Sequence, residues 1–199
     1  MVLLVITGFL GTGKTTFMVK LAQKAMSEGL KVALVVNEIG EIGIDDKFMT
    51  QRGFNVWEVL GGCICCTLAG ELIQTLDSLD GEYKPDVVIV EPSGAADPRS
   101  LVHALTLSSP PYLKTRRHIA LLDPLRMDML MEVLEPLVMS AVRQADLVLI
   151  NKADVASAQD MERTRQIAAQ ANPQARIFAV CAKDDLDQSL WSEIWSCLT

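Results

Sequence analysis

The sequence predicts an α/β domain, a mostly parallel central sheet of about seven strands with helices on both faces. Two observations carry this. Short aliphatic runs recur along the chain, and segments with helical periodicity lie between most of them. Half of the residues are hydrophobic but only 5% are aromatic, the aliphatic bias that strands buried on both faces require.

The strand-length runs are Val2 to Ile6, Val32 to Val36, Val56 to Leu60, Val87 to Val90, Ile119 to Leu122, Leu147 to Ile150 and Ile177 to Val180. Leu130, Val133, Leu134, Leu137, Val138 and Ala141 follow the i, i+3, i+4, i+7 stripe of a helix, which Pro136 should kink. Met127, Met129 and Met131 near its start read as adaptable filler of core or surface. With no internal repeat, low-complexity tract or linker, residues 1–199 are expected to form a single domain. That length supports a core without disulfide or metal staples.

A net charge of −7 argues against nucleic acid and anionic membrane as partners. The run from Val2 to Ile6 lacks the basic flank of a signal peptide and breaks at Gly8. No stretch approaches the roughly 18 apolar residues of a membrane span, so a cytoplasmic location is expected. Five cysteines are an odd count for a secreted disulfide framework, and three crowd together at Cys63, Cys65 and Cys66.

Ligands of open parallel sheets bind at the carboxyl ends of strands. After the first run comes GFLGTGKTT, in which Gly8, Gly13, Lys14 and Thr15 satisfy G-x-x-x-x-G-K-[ST] between strand and helix. The expected nucleotide contacts are Gly11, Thr12, Gly13, Lys14, Thr15 and Thr16. Backbone N–H groups would curl around phosphate oxygens, Lys14 would reach the β and γ oxygens, and the Thr15 hydroxyl would ligate Mg²⁺. This is the signature of a P-loop NTPase.

The sixth run ends in Asn151-Lys152-Ala153-Asp154. A carboxylate at Asp154 accepts from both guanine N1–H and the exocyclic amine, donors that adenine does not present there. Sites built to hydrogen-bond a substrate group reject analogues lacking it by roughly 10⁴-fold. Lys152 would lay its stem along the base. Ala182, ahead of Lys183 after the last run, would offer its amide to guanine O6. GTP and GDP are therefore the expected ligands.

The motifs GFLGTGKTT, NEIGEIGID (Asn37 to Asp45), GGCICC (Gly61 to Cys66), EPSG (Glu91 to Gly94) and NKAD, in this order, resemble the CobW-type metallochaperone GTPases. These form part of the CobW/HypB/UreG nucleotide-binding domain family, with the nickel-insertion GTPases of urease and hydrogenase maturation. The resemblance covers the whole chain as a GTPase domain. It implies a Mg²⁺-dependent GTPase that carries a transition metal and delivers it to a client metalloprotein or cofactor-maturation enzyme, and it implies a GTP-dependent homodimer. Relatives usually continue into a second domain, often with a His-rich tract. This sequence reaches Trp195 with only His103 and His118, so a C-terminal domain and loading through such a tract are not expected.

By the same resemblance the segment carrying Glu38, Glu41 and Asp45, hinged by Gly40 and Gly43, corresponds to switch I. Glu38 and Asp45 would help position Mg²⁺ or the attacking water; as a bare sequence, the segment also reads as a solvated acidic loop. Glu91 ends a strand and should project toward Thr15 and Mg²⁺, in part through water. Gly94 resembles a γ-phosphate sensor that would draw the following loop, including Asp97, toward GTP.

Cys63, Cys65 and Cys66 form C-x-C-C. Three thiolates so close suit a soft or borderline ion such as Zn²⁺, Cu(I), Co²⁺ or Ni²⁺. A closed structural zinc site uses four ligands in paired spacing, which this motif lacks. Glu38, Glu41, water or a second protomer could complete an exchangeable set, with Zn²⁺, Co²⁺ or Ni²⁺ as cargo. Redox chemistry and buried inert thiols are the competing readings. Cys181 and Cys197 are isolated and read as inert, and His103 and His118 as structural. A second functional reading is a GTP-gated assembly factor for a corrinoid or other metalloenzyme whose cysteines carry no metal. A P-loop kinase is disfavoured by NKAD and by the lack of a visible lid. No arginine finger is evident in cis, Arg99 being only a candidate, so intrinsic hydrolysis is expected to be slow.

Overall fold

The computed structural model describes residues 1–36, 67–92, 105, 108 and 110–196, and a strand at 55–58; at 55–58 and 67–69 it describes the backbone alone. The elements run β1 (Val2–Gly8), α1 (Lys14–Ser27), β2 (Val32–Val36), β3 (Asn55–Glu58), α2 (Thr67–Ser78), a π-helical turn (Leu79–Tyr83), β4 (Val87–Glu91) and β5 (Thr115–Leu122). A 3₁₀ turn (Pro124–Arg126) then leads into α3 (Met127–Gln144), β6 (Leu147–Ile150), α4 (Ala158–Ala171), β7 (Arg176–Ala179) and α5 (Gln188–Trp195). The seven strands form one sheet in the order β3-β2-β4-β1-β5-β6-β7, and every pairing is parallel.

The two-residue period of a strand sends alternate side chains to opposite faces. Leu4 and Ile6 of β1, with Ile119 and Leu121 of β5, join Phe17, Met18 and Leu21 of α1 and Leu190, Trp191 and Ile194 of α5. On the other face Leu3 and Val5 pack with Leu72 and Leu76 of α2. Ala120, Leu122 and Val148 on that face pack with Leu130 and Val142 of α3 and Ala168 of α4. Full burial of each Leu or Ile stabilises the domain by about 2 kcal/mol before entropy is counted. The central strands are therefore aliphatic on both faces, as their composition requires.

All seven predicted strands are present, and the largest shift is at the start of β5. β5 starts at Thr115, ahead of the apolar run at Ile119, because Thr115 to His118 pair with Val2 to Val5. Ladder hydrogen bonds use backbone groups, so polar residues at the sheet's margin pair without an apolar signature. β7 is an edge strand of partly exposed residues. The α3 stripe is interrupted as well: Leu134 has φ −135° and ψ 26°, and Val133 is 69% exposed. Pro136 lacks the N–H that would bond the Glu132 carbonyl, and its ring crowds that turn. Met127 is buried while Met129 is exposed, so the methionines divide between core and surface.

β1 lies between β4 and β5, where the strand order reverses direction. This is the switch point at which doubly wound sheets open a crevice at the strands' carboxyl ends. The segment after β1 is the glycine-rich loop.

Candidate functional site

β1 ends at Gly8 and α1 starts at Lys14, so Phe9 to Gly13 must reverse the chain within five residues. The Thr12 N–H and hydroxyl both donate to the Phe9 carbonyl, at 3.2 and 2.8 Å. Gly13 precedes α1 at φ 94°, in the left-handed region. A Cβ there would stand 2.4 Å from Asn151 Nδ2, so both backbone conformation and space require glycine. The N-terminal amides of α1 then open toward the crevice, the arrangement that receives phosphate.

Lys14 is 6% exposed. Its Nζ lies 3.4 Å from the Phe9 carbonyl and 3.6 Å from Glu91 Oε1. The Thr15 hydroxyl donates to Glu91 at 3.0 and 3.2 Å to the two carboxylate oxygens. Glu91 closes β4, next to β1 in the sheet, and the expected approach of Glu91 to Thr15 is therefore present. A hydroxyl and a carboxylate converging beside the phosphate loop form an all-oxygen donor set, which fits Mg²⁺.

From β6 comes Asn151, 4% exposed. Its Nδ2 donates to the Thr12 carbonyl at 2.7 Å, and its Oδ1 accepts from the Ala182 N–H at 2.8 Å. The amide is thus a tie between the phosphate loop and the segment after β7. Asn151 is engaged with protein on both sides, and the Ala182 amide, expected to meet guanine O6, donates to it. Lys183 is exposed beside it.

Lys152 adopts φ 62°, a left-handed conformation uncommon for a side chain of this kind. Its ammonium pairs with Asp123 at 2.6 Å. Asp123 is fully buried at the end of β5 and also caps the 3₁₀ turn through the Leu125 N–H. The Ala153 N–H bonds the Val180 carbonyl at 3.1 Å. The loop is fixed at both ends, and the exposed Asp154 carboxylate has no partner among the described residues.

Two residues that the motif reading missed complete this edge. Asp123 positions Lys152; its signal was an acid directly after an aliphatic strand. Arg126 Nη1 donates to the Leu10 carbonyl at 2.8 Å, its guanidinium lies 5.9 Å from the Phe9 ring centroid, and it borders Gly11. No spacing rule links Arg126 to a loop more than a hundred residues away.

His118 is structural, as expected. Its Nε2 is 2.6 Å from Thr7 Oγ1, one residue before Gly8. Burial pushes its pKa down, against the opposing pull of the Gln144 backbone and Asp146. Cys181 is a free, partly buried thiol. Glu38, Glu41, Asp45, Cys63, Cys65, Cys66, Gly94, Asp97, Arg99, His103 and Cys197 lie outside the described residues. Among the described residues no three or more of His, Cys, Asp and Glu are grouped to hold a metal ion, and no helix is long and apolar enough to cross a membrane.

The parallel sheet, the phosphate loop at its switch point and the Asn-Lys-x-Asp segment beside it define a P-loop nucleotide-binding domain. The family described as CobW/HypB/UreG, nucleotide-binding domain, matches residues 2–179, and the chain belongs to this family. It is 33% identical over 194 residues to the zinc chaperone YjiA of Escherichia coli, covering 93% of this chain and 58% of that protein. It is 25% identical over 212 residues to the zinc-regulated GTPase metalloprotein activator 1 of Dictyostelium discoideum, covering 87% of this chain and 44% of that protein. The chain thus spans about half the length of these relatives. The hydrogenase maturation factor HypB of Archaeoglobus fulgidus shares the fold, with a TM-score of 0.72 and 19% identity over 99% of this chain and 89% of that one.

Proposed function

We propose that this protein is a GTPase that couples its nucleotide state to delivery of a transition metal ion to a client metalloprotein. The observation that carries the nucleotide half is the unpartnered Asp154 carboxylate, held at the same sheet edge as Lys14 and Thr15 by the Asn151 tie. A guanine donates to this carboxylate through two N–H groups, and adenine leaves it unpaired. Lys14 and the amides of the loop and α1 hold the phosphates. Thr15 and Glu91 would hold Mg²⁺, which supplies charge neutralisation between the β and γ oxygens. The Thr15 hydroxyl and the Lys14 ammonium hold the Glu91 carboxylate beside the loop.

The metal half rests on family membership and on the C-x-C-C motif. Cys63, Cys65 and Cys66 supply the thiolates, with Glu38 or Glu41 completing the set. Zn²⁺ is the preferred cargo, because relatives named as zinc chaperones and zinc-regulated activators match over most of this chain. Loss of the γ-phosphate releases the segment from Glu38 to Asp45 and the loop beyond Glu91, and metal affinity falls. Such coupling is reciprocal, so the metal changes GTP affinity by the same factor.

Two measurements test this. GTP turnover by the purified chain with Mg²⁺ should yield GDP and phosphate, with a preference over ATP of about a hundredfold or more, since only guanine donates to the Asp154 carboxylate. Anaerobic metal analysis should find one thiolate-bound ion that Cys65→Ser removes. A chain that turns over GTP but binds no metal supports the alternative, a GTP-gated assembly factor whose cysteines dock a partner.

A further inference from the structure

The sheet's opposite end carries a concavity of about 480 Å³ that the nucleotide chemistry does not use. Its charged lining is Arg117 at the start of β5, Arg143 near the end of α3 and Arg176 at the start of β7, with the carboxylates of Asp146 and Glu193. β6, at about 3.3 Å per residue, puts roughly 16 Å between Asp146 at this end and Asn151 at the nucleotide end. The two sites are therefore separate.

The charges there are unevenly paired. Arg176 forms an ion pair with Glu193 of α5. Asp146 accepts from the His118 N–H at 2.8 Å through one oxygen, while its other oxygen stands 3.8 Å from Arg117 Nη1, beyond hydrogen-bond distance. The Arg117 guanidinium makes no hydrogen bond among the described residues, and its Nε is buried without a partner. Arg143 likewise has no side-chain partner among the described residues.

The helix ends at this site do not oppose an anion as strongly as exposed carbonyls would. Asn172 Nδ2 donates to the Val142 and Ala145 carbonyls, both at 2.9 Å, and covers the end of α3. Arg143 has an unfilled fork, and Arg117, ion-paired with Asp146 at 3.8 Å, keeps its hydrogen-bond donors uncommitted. Against the carboxylates of Asp146 and Glu193 the three arginines leave the concavity a net positive charge, and their planar forks match the bidentate geometry of carboxylate and phosphate oxygens.

We propose that the Arg117–Arg143 concavity is a second ligand site, which takes a small oxyanion, phosphate or carboxylate, independently of the nucleotide. The full chain, saturated with Mg²⁺ and a non-hydrolysable GTP analogue to fill the phosphate loop, would be titrated calorimetrically with inorganic phosphate and, separately, with succinate. One saturable site is expected for at least one probe, weakened about tenfold or more in Arg143→Gln. Analogue affinity should stay unchanged. Response to phosphate alone identifies a phosphate site, and response to succinate a carboxylate site. Arg143 is exposed, so its replacement leaves the fold intact, and Arg117→Gln provides the second arm. Absence of saturable binding for both probes overturns the proposal. So does binding that survives Arg143→Gln and Arg117→Gln but vanishes in Lys14→Ala.

Discussion

Asn151 Nδ2 donates to the Thr12 carbonyl across 2.7 Å, joining the end of β6 to the phosphate loop. The same side chain accepts from the Ala182 N–H, so a single buried amide links the phosphate loop, the end of β6 and the segment after β7.

Asn151→Ala should therefore weaken both functions together. Two buried partners lose their bonds, a destabilisation of about 1–3 kcal/mol. Urea denaturation should show the lower midpoint, and GDP affinity should fall about tenfold or more. An unchanged GDP affinity would mean that the tie does not hold the crevice.

Glu91→Gln keeps the shape of the side chain and its ability to accept from Thr15, but removes the charge. The variant should fold normally and bind GDP without metal much as the parent does. Its requirement for Mg²⁺ should rise, and turnover should drop on the order of 10–100-fold, the loss typical of groups that hold or orient a metal's ligands. A Mg²⁺ titration of GTP turnover checks this, and a parent-like curve would remove Glu91 from the metal's surroundings.

Arg126 bonds the Leu10 carbonyl and borders Gly11, holding an outward carbonyl so that neighbouring amides face the phosphates. Arg126→Ala should raise the KM for GTP about fivefold, equivalent to roughly 1 kcal/mol for one partly exposed charge-assisted bond. The kcat should change little, and Arg126→Lys should recover part of the loss. A change confined to kcat would point to direct contact with the reacting phosphate instead.

The burial of His118 makes stability depend on pH. His118 is held below its ordinary value of 6.5 because burial disfavours the cation, so the unfolded chain binds a proton more readily than the folded one. Its contribution is complete above about pH 6.5 and is lost as pH falls below that value, by up to about 1.4 kcal/mol per pH unit. Denaturant midpoints between pH 5 and 7.5 should show this slope, and His118→Gln should flatten it.

Much of the fold was legible because the decisive signals are local. Seven aliphatic runs marked seven strands, and composition marked a sheet covered on both faces. The glycine-lysine-threonine loop lies entirely between one strand and one helix, so its spacing is its geometry. Glu91 could be aimed at Thr15 because both follow strands of a parallel sheet at the same edge. The start of β5 was hidden, since Thr115 to His118 pair through backbone groups that leave no apolar pattern. The break in the α3 stripe was legible in Pro136, but the exposure of Val133 was not.

What the sequence determined by itself is the chemistry available at one sheet edge: a phosphate loop, an acid closing β4 and the Asn-Lys-x-Asp segment after β6. What only the tertiary structure decided is how those groups are shared. Asn151 ties the phosphate loop to the segment after β7, Ala182 is its partner, Asp123 anchors a left-handed Lys152, and Arg126 braces a loop distant in sequence. The reason is physical. Motif spacing constrains atoms within one strand, turn or helix, whereas hydrogen bonds between loops depend on which strands the sheet places side by side.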